Sequence, residues 1–155
     1  MNKSKFKFLI YKNYLSFIKG SENSRMFRHV YVLNNGEEKD LLKDGELSCA
    51  YYVSCILKIF NLIDPKISPH ATVAGVMKNM MNSDWKETKE LKPGNILIWE
   101  EKQQSNNKFH EHLGFYLGQD KAISHRDEKK LPTIHHYTYN NKRKIIRILT
   151  HEIIK

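Results

Sequence analysis

Nucleophilic chemistry could begin at Cys49, a thiol placed where a polar turn runs into an apolar stretch. Ser48 is a residue type that caps helices, and the apolar residues that follow recur at helical spacing, which predicts a helix over residues 48–63. The free N–H groups and the dipole at a helix N-terminus favour the thiolate, so a cysteine there is suited to nucleophilic attack. The alternative is that Cys49 is a small core residue, as most unpaired cysteines are.

The other cysteine, Cys55, lies on the same predicted helix. Six residues at a rise of ~1.5 Å place the two Cα atoms ~9 Å apart, beyond the ~7 Å limit for a disulfide. Both thiols are therefore predicted to be free, which fits a reducing compartment. Because Cys55 is far from the helix N-terminus, we expect it to be structural and Cys49 to be the reactive thiol.

Histidines supply a second possible chemistry, that of a metal site. His110 and His112 alternate on one predicted strand, a spacing that zinc can use, and His125, His135 and His136 follow. The sequence contains no Cys-x-x-Cys or His-Glu-x-x-His motif to reinforce this interpretation. A His-rich metal-binding domain is therefore kept as an alternative, and the favoured interpretation requires no metal and no other cofactor.

The elements around these residues predict an α+β fold, with helices first and an antiparallel sheet of four to six strands second. The Cys49 helix is expected to pack on this sheet, whose C-terminal half is a meander of at least four strands. Two further helices are predicted over residues 6–19 and 72–81. Strands are predicted over residues 29–33, 96–99, 110–118, 121–125, 133–139 and 144–149. The connections are a turn at 34–36, a charged segment at 37–45, a turn at 91–95 and a solvent loop at 101–108.

Length and composition fit one soluble globular domain. The chain has 155 residues, of which 40% are hydrophobic and 28% charged. We assign residues 1–155 to a single domain, with an N-terminal extension over 1–40 and a core over 45–150, and expect a monomer. The formal charge of +9 favours an anionic partner such as nucleic acid, cell-wall polymer or a membrane surface, although a compositional bias would also produce it.

Basic and aromatic residues near the C-terminus make nucleic-acid binding the second alternative. The residues concerned are Lys142, Arg143, Lys144 and Arg147, with Tyr137 and Tyr139 interleaved. No recognised binding motif accompanies them. A solvated basic strand edge that deters edge-to-edge pairing is the favoured interpretation.

The first eighteen residues carry no targeting signal that the sequence reveals. Lys3, Lys5, Lys7 and Lys12 interrupt the apolar residues, so the segment matches neither a signal peptide nor a membrane span. A cytoplasmic location is the expectation. A substrate in the cell wall would require release or another route of export.

Three segments together resemble the NlpC-type cysteine peptidases and amidases of the papain-like superfamily. They are Cys49 at the start of an apolar helix, a Pro-Gly turn entering a strand at 91–99, and His-Leu-Gly-Phe-Tyr-Leu-Gly at 112–118. The match covers residues 48–125, and its most specific part is the 112–118 strand. The resemblance implies a papain-like fold and a cysteine-dependent hydrolase of peptide or amide bonds, with peptidoglycan among the candidate substrates.

The resemblance also implies roles for individual residues. Cys49 would be the nucleophile and His112 the base, because a thiol needs an imidazole to take its proton and to protonate the leaving amine. We expect the two to form a thiolate–imidazolium pair. His125 is chosen as the group that orients His112, although the usual count along the family's hairpin falls on Ser124.

The chain also departs from the family pattern. Wall-cutting members have Asp before the nucleophile and Ser-Gly after it, whereas this chain has Ser48, Ala50 and Tyr51. Members also carry an upstream tyrosine near the oxyanion hole, for which Tyr31 is the candidate here. Ser48, Ser124 and Tyr31 are therefore assigned to substrate or oxyanion contacts.

Overall fold

The computed structural model describes residues 6–67, 69–103 and 107–155. Within these residues the chain forms three helices, a two-stranded hairpin and a six-stranded antiparallel sheet, which confirms the α+β class. The helices are α1 (Ile10–Gly20), α2 (Cys49–Ile59) and α3 (Val73–Met81). The strands are β1 (Tyr31–Asn34), β2 (Glu37–Asp40), β3 (Lys86–Glu87), β4 (Ile96–Gln103), β5 (Phe109–Gly118), β6 (Lys121–Arg126), β7 (Leu131–His136) and β8 (Ile145–Thr150). Some residues named in the sequence analysis lie outside the described residues. They are Lys3 and Lys5 of the N-terminal segment and part of the predicted loop at 101–108, and Ser68 also lies outside.

The sheet has the strand order β3-β8-β4-β5-β6-β7 in the described part of the chain. Strands β4 to β7 follow one another as the predicted antiparallel meander. Strand β8 does not continue that meander beyond β7, because it crosses back to pair with β4 on the other side. Burial explains this placement, because a strand whose residues are all buried needs a neighbour on each side. The buried residues of β4 are Ile96, Leu97, Ile98 and Trp99.

Helix α2 begins at Cys49 as predicted but ends at Ile59, four residues before the predicted end. Asn61 adopts a left-handed conformation with φ of 54°, and the N–H of Leu62 donates to the carbonyl of Leu57 at 2.9 Å. This is the Schellman closure that ends a helix. The helix packs on β5 and β6 through a largely apolar face. Its buried residues are Cys49, Ala50, Tyr52, Val53, Ser54, Ile56 and Leu57.

Helix α1 fastens the N-terminal region to the turn that precedes β4. It runs from Ile10, four residues later than predicted, and buries Tyr14 and Ile18. The Tyr14 hydroxyl donates to the carbonyl of Gly94 at 2.9 Å, and a Cβ added at Gly94 would lie 2.9 Å from the Tyr14 ring. With φ of 93° as well, this turn position requires glycine.

The charged segment at 37–45, predicted to be a connection, contributes strand β2. It pairs with β1 through a two-residue turn, Asn35-Gly36, in which both residues have positive φ. Such turns match the twist of a hairpin, so the Asn-Gly pair decides the local structure. After β2, the Asp40 carboxylate accepts N–H groups of Leu42 and Asp44 and shapes the path toward Cys49.

Strand β3 was not predicted, and the remaining elements differ from the predictions at their ends. Helix α3 begins at Val73, and the Thr72 side chain caps it by accepting the N–H of Gly75 at 3.2 Å. The predicted loop at 101–108 is shorter, because β4 continues to Gln103 and β5 begins at Phe109. The strand predicted at 133–139 lies at Leu131–His136. In the described ranges, no helix is long and apolar enough to cross a bilayer.

The two faces of the sheet carry separate hydrophobic clusters, and this division places the site residues. Leu113 and Phe115 of β5 belong to the large core beneath α2. Trp99 and Tyr116 belong to a smaller cluster on the opposite face. Because side chains alternate along a strand, His112 lies on the Trp99 face.

Candidate active site

Cys49 is the first residue of α2 and is 9% exposed. Burial raises the pKa of its thiol to about 12, and the negative charge of Asp127 acts in the same direction. The backbone N–H groups of Leu113 and Ala50 face the sulfur and, with Arg143, oppose this shift without cancelling it. The expected lowered pKa is therefore wrong for the resting protein, because desolvation outweighs the helix N-terminus. At neutral pH Cys49 is a thiol.

Ser48 occupies the position before the helix, as predicted, but does not cap it. Its backbone has φ of −96° and ψ of −3°, so the residue already has a helical conformation. Its hydroxyl is buried and has no hydrogen-bond partner among the described residues. A buried unpaired hydroxyl beside the thiol is a polar group left available to something that enters the site.

His112 lies on β5, 3% exposed, with its ring 5.5 Å from the Trp99 ring and 6.4 Å from that of Tyr139. Burial holds the pKa of His112 well below its ordinary value, and the positive charge of Arg143 adds to the effect. The imidazole is therefore neutral at pH 7. Its Nδ1 is buried without a hydrogen-bond partner in the part of the chain that the structure describes.

Cys49 lies beside β5, where the paired β5–β6 ladder ends. The β5–β6 ladder runs from the hairpin to the pair Phe115–Ile123. Beyond this pair, the N–H of Leu113 faces the Cys49 sulfur, so the thiol lies against the backbone directly after His112. The His112 ring packs against Trp99, on the opposite face of β5 from the core cluster that contains Cys49. Its Nδ1 has no hydrogen-bond partner among the described residues, so the thiol is not bonded to it in the resting protein.

Two separate cavities are lined by these residues. A polar basin of ≈ 690 Å³ is lined by His112 and, among others, by Arg126, Asp127, His135, Tyr139 and Arg143. A smaller cavity of ≈ 290 Å³ is lined by Cys49 together with His110. The His110 Nε2 is buried and has no partner among residues 6–67, 69–103 and 107–155. His110 therefore shares a cavity with the thiol, whereas His112 lines the basin.

Arg143 is held in place by backbone carbonyl groups. Its Nε donates to the carbonyl of Glu100 at 2.9 Å and its Nη2 to that of His110 at 3.0 Å. The same guanidinium interacts electrostatically with Cys49 and Asp127. A cation fixed beside the thiol favours any negative charge that develops on the sulfur or on a nearby oxygen.

Ser124 lies on the same face of the sheet as His112 and takes part in a hydrogen-bonded network that the sequence did not predict. Its Oγ lies 2.8 Å from His135 Nε2 and 3.0 Å from the Tyr139 hydroxyl. His135 Nδ1 lies 2.8 Å from the carbonyl of His136 and so acts as the donor, which leaves Nε2 to accept from Ser124. Burial lowers the pKa of His135 to about 4, so this ring is also neutral. The one signal in the sequence for this network was the family's residue count along the hairpin, which falls on Ser124.

His125, the predicted orienter, lies on the opposite face of the sheet from His112. It is fully buried, its ring is 6.4 Å from the Tyr52 ring beneath α2, and neither of its nitrogens has a partner among the described residues. Burial lowers its pKa to about 4, and the charge of Arg28 adds to this. No contact of the structure supports the orienting role for His125.

Tyr31, the oxyanion candidate, lies on the β1–β2 hairpin. It is 62% exposed, and its ring stacks on His29 with centroids 5.5 Å apart. It does not line the basin or the smaller cavity in the described part of the chain. Its predicted role therefore has no geometric support.

The alternatives drawn from the basic and His-rich segments can be compared with the same structure. Tyr139 stacks on His135 at 4.1 Å, the carbonyl of Tyr137 accepts the Trp99 indole N–H, and Arg147 donates to Glu87 at 2.7 Å. The two tyrosines thus pack within the fold instead of forming an open stacking surface. No group of three or more His, Cys, Asp or Glu suited to a metal ion is found within the described ranges.

Comparison with known proteins gives no relative from which a role could be transferred. No family model matches the chain, and no curated protein matches it. The functional argument therefore depends on the side chains and their geometry.

We predict that Cys49 in the folded protein titrates above an unperturbed thiol, whose pKa is ~8.5. The raised pKa means that alkylation by iodoacetamide is slow at neutral pH and accelerates as the pH rises. Peptide mass spectrometry can follow alkylation at Cys49 over a pH series, with the urea-unfolded chain as the reference. A midpoint below that of the unfolded chain would instead indicate a preformed thiolate–imidazolium pair.

Proposed function

We propose that the protein is a cysteine-dependent hydrolase of peptide or amide bonds, related in fold to the papain-like NlpC-type enzymes. The observation that carries the proposal is the position of Cys49. Its sulfur lies against the backbone directly after His112, at the point where two strands separate beside a polar basin. A thiol, an unpaired buried imidazole nitrogen and a fixed cation together supply the groups that acyl transfer requires.

In the first half of the reaction, His112 acts as a general base toward a neutral thiol. His112 takes the proton from Cys49 as the sulfur attacks the substrate carbonyl carbon, and the C–S bond forms while the carbonyl oxygen becomes negative. Arg143 stabilises the negative charge that develops. When the oxygen re-forms the carbonyl, the C–N bond breaks and the amine leaves with the proton from His112. The product is a thioester on Cys49.

In the second half, water regenerates the enzyme. His112 takes a proton from water as the oxygen attacks the thioester carbon, and the C–S bond breaks. The sulfur leaves with the electron pair and receives the proton from His112. The net reaction consumes one amide bond and one water and yields one carboxylic acid and one amine, with Cys49 again a thiol.

The neutral resting pair suits this sequence of steps. Burial disfavours both the thiolate and the imidazolium, so the two charges form only when a substrate carbonyl can accept the electrons from sulfur. Ser124, with its partners His135 and Tyr139, is better placed than His125 to hold polar groups on the His112 face. The free thiols fit a reducing compartment.

An activated ester tests the proposal without knowledge of the natural substrate. With p-nitrophenyl acetate, we expect a burst of p-nitrophenol equal to one acetyl group per chain, followed by slow turnover, because acylation of Cys49 precedes hydrolysis of the thioester. Cys49→Ala should remove the burst and Cys55→Ala should keep it, with the acetyl group located by peptide mass spectrometry. An acetyl group on another residue, or an unchanged burst in Cys49→Ala, would contradict the proposal. A panel of peptides, isopeptides and peptidoglycan fragments then identifies the acyl donor.

A further inference from the structure

A second surface, which shares no lining residue with the cavities of Cys49 and His112, combines exposed apolar side chains with a groove. The groove, of ≈ 1070 Å³, lies between α1 and the C-terminal end of α2. It adjoins a shallower cavity formed by the segment before α1, since Phe8 and Asn13 line both. We call the exposed residues of this surface the apolar patch. They are Phe6 (92% exposed), Phe8 (69%), Leu9 (54%), Phe17 (41%), Met26 (79%) and Ile59 (56%).

The apolar patch is not explained by the folding of α1. That helix already buries Tyr14 and Ile18 against the rest of the protein, whereas Phe17 faces the groove. Neither cavity of the patch shares a lining residue with the basin at His112. A contiguous exposed apolar surface of this kind marks a place where something else binds.

Positive charge surrounds the patch. Lys7 and Lys12 line the shallower cavity, Lys58 lines the groove, and Lys19 and Arg25 are exposed on the same stretch of chain. Between Phe6 and Phe27, Glu22 is the only acidic residue in the sequence. The ligand of this surface must therefore offer an apolar phase together with negative charge.

We infer that the apolar patch and its lysines dock the protein on the surface of an anionic lipid bilayer. Phenylalanine, leucine and methionine side chains enter the boundary between headgroups and acyl chains, while the lysines meet the anionic headgroups. A second copy of this chain fits less well. In an isologous dimer the same patch faces itself, so the lysines of one copy would lie opposite those of the other.

The experiment measures co-sedimentation of the full chain with vesicles of phosphatidylcholine alone and of an equal mixture of phosphatidylcholine and phosphatidylglycerol. We expect binding to the anionic vesicles only, weakened by added salt because the headgroup attraction is screened. Each lysine near an anionic surface contributes about a fivefold gain in partitioning, so Lys12→Gln with Lys19→Gln should weaken binding about 10- to 30-fold. Phe8→Ser with Phe17→Ser should weaken it by at least about tenfold.

Leu33→Ser with Lys144→Gln is the matched control, since it removes one exposed apolar residue and one cation outside the patch. This control should bind like the unmodified chain, and circular dichroism checks that all variants are folded. Failure of the unmodified chain to sediment with anionic vesicles at low salt would overturn the inference. So would an equal loss in the control, which would indicate unspecific attraction of a basic protein. Light scattering that shows a dimer abolished by Phe17→Ser would assign the patch to a second copy. None of these outcomes depends on hydrolase activity.

Discussion

Replacing His112 by Ala is expected to slow acylation of Cys49 by about 10²- to 10⁴-fold at pH 7, the range lost when a general base is removed. The effect should be large because the thiol is protonated at rest, so attack requires a group that takes its proton. The measurement is the burst rate with p-nitrophenyl acetate over a pH series. The deficit should shrink as the pH approaches the pKa of the thiol, since hydroxide then supplies the thiolate without His112.

His110→Ala is the matched comparison, because this histidine lies on the same strand and lines the cavity that contains Cys49. We expect it to change the burst rate little, since the proposed base is His112, whose Nδ1 is buried without a hydrogen-bond partner among the described residues. If His110→Ala loses the burst and His112→Ala keeps it, the base is His110. The proposal of a cysteine-dependent hydrolase would then remain, with His110 instead of His112 as the base.

Acidification from pH 6.5 to pH 4 is expected to lower the free energy of unfolding by several kcal/mol. His112, His125 and His135 are buried with pKa values below the ordinary value, about 4 for the last two. The unfolded chain takes up these protons near pH ~6.5, so the folded state becomes less stable as the pH falls below that value. Each histidine contributes up to about 1.4 kcal/mol per pH unit, against a total stability of about 5–15 kcal/mol for a domain.

His125 offers the sharpest test of this acid sensitivity. His125→Leu removes a proton-binding group that has no hydrogen-bond partner in the described structure, so it should reduce the pH dependence by one proton. Urea unfolding at pH 7, 6, 5 and 4 gives the free energy of unfolding for both chains. An unchanged slope would show that His125 is not a source of the acid sensitivity.

The sequence predicted the elements better than their ends and pairings. Apolar periodicity located α2, α3 and the four strands of the meander, because these segments must bury one face or both. It extended α2 too far, because Leu62 and Ile63 are buried as the pattern predicts although the helix has already ended at Ile59. The pairing of β8 with β4 was not predictable from local pattern, because a strand carries no sign of its partner.

The face of the sheet on which His125 lies differs from the expectation, and the difference has a physical cause. Leu117 forms a bulge in the β5–β6 hairpin, where Tyr116 pairs with Ala122 but Gly118 pairs with Lys121. One inserted residue reverses the face of every later side chain, so Ser124 joins His112 and His125 turns toward α2. The raised pKa of Cys49 escaped prediction for a different reason: sequence places the helix N-terminus but does not reveal how deeply the sulfur is buried.

The protonated state of the Cys49 thiol has a consequence for the protein under oxidative stress. Hydrogen peroxide attacks the thiolate, and the ladder from sulfenic to sulfonic acid begins only from that form. Cys49, buried and protonated, therefore resists inactivation that would destroy a permanently ionised nucleophile. Simple alkylating reagents would meet the same barrier at Cys49.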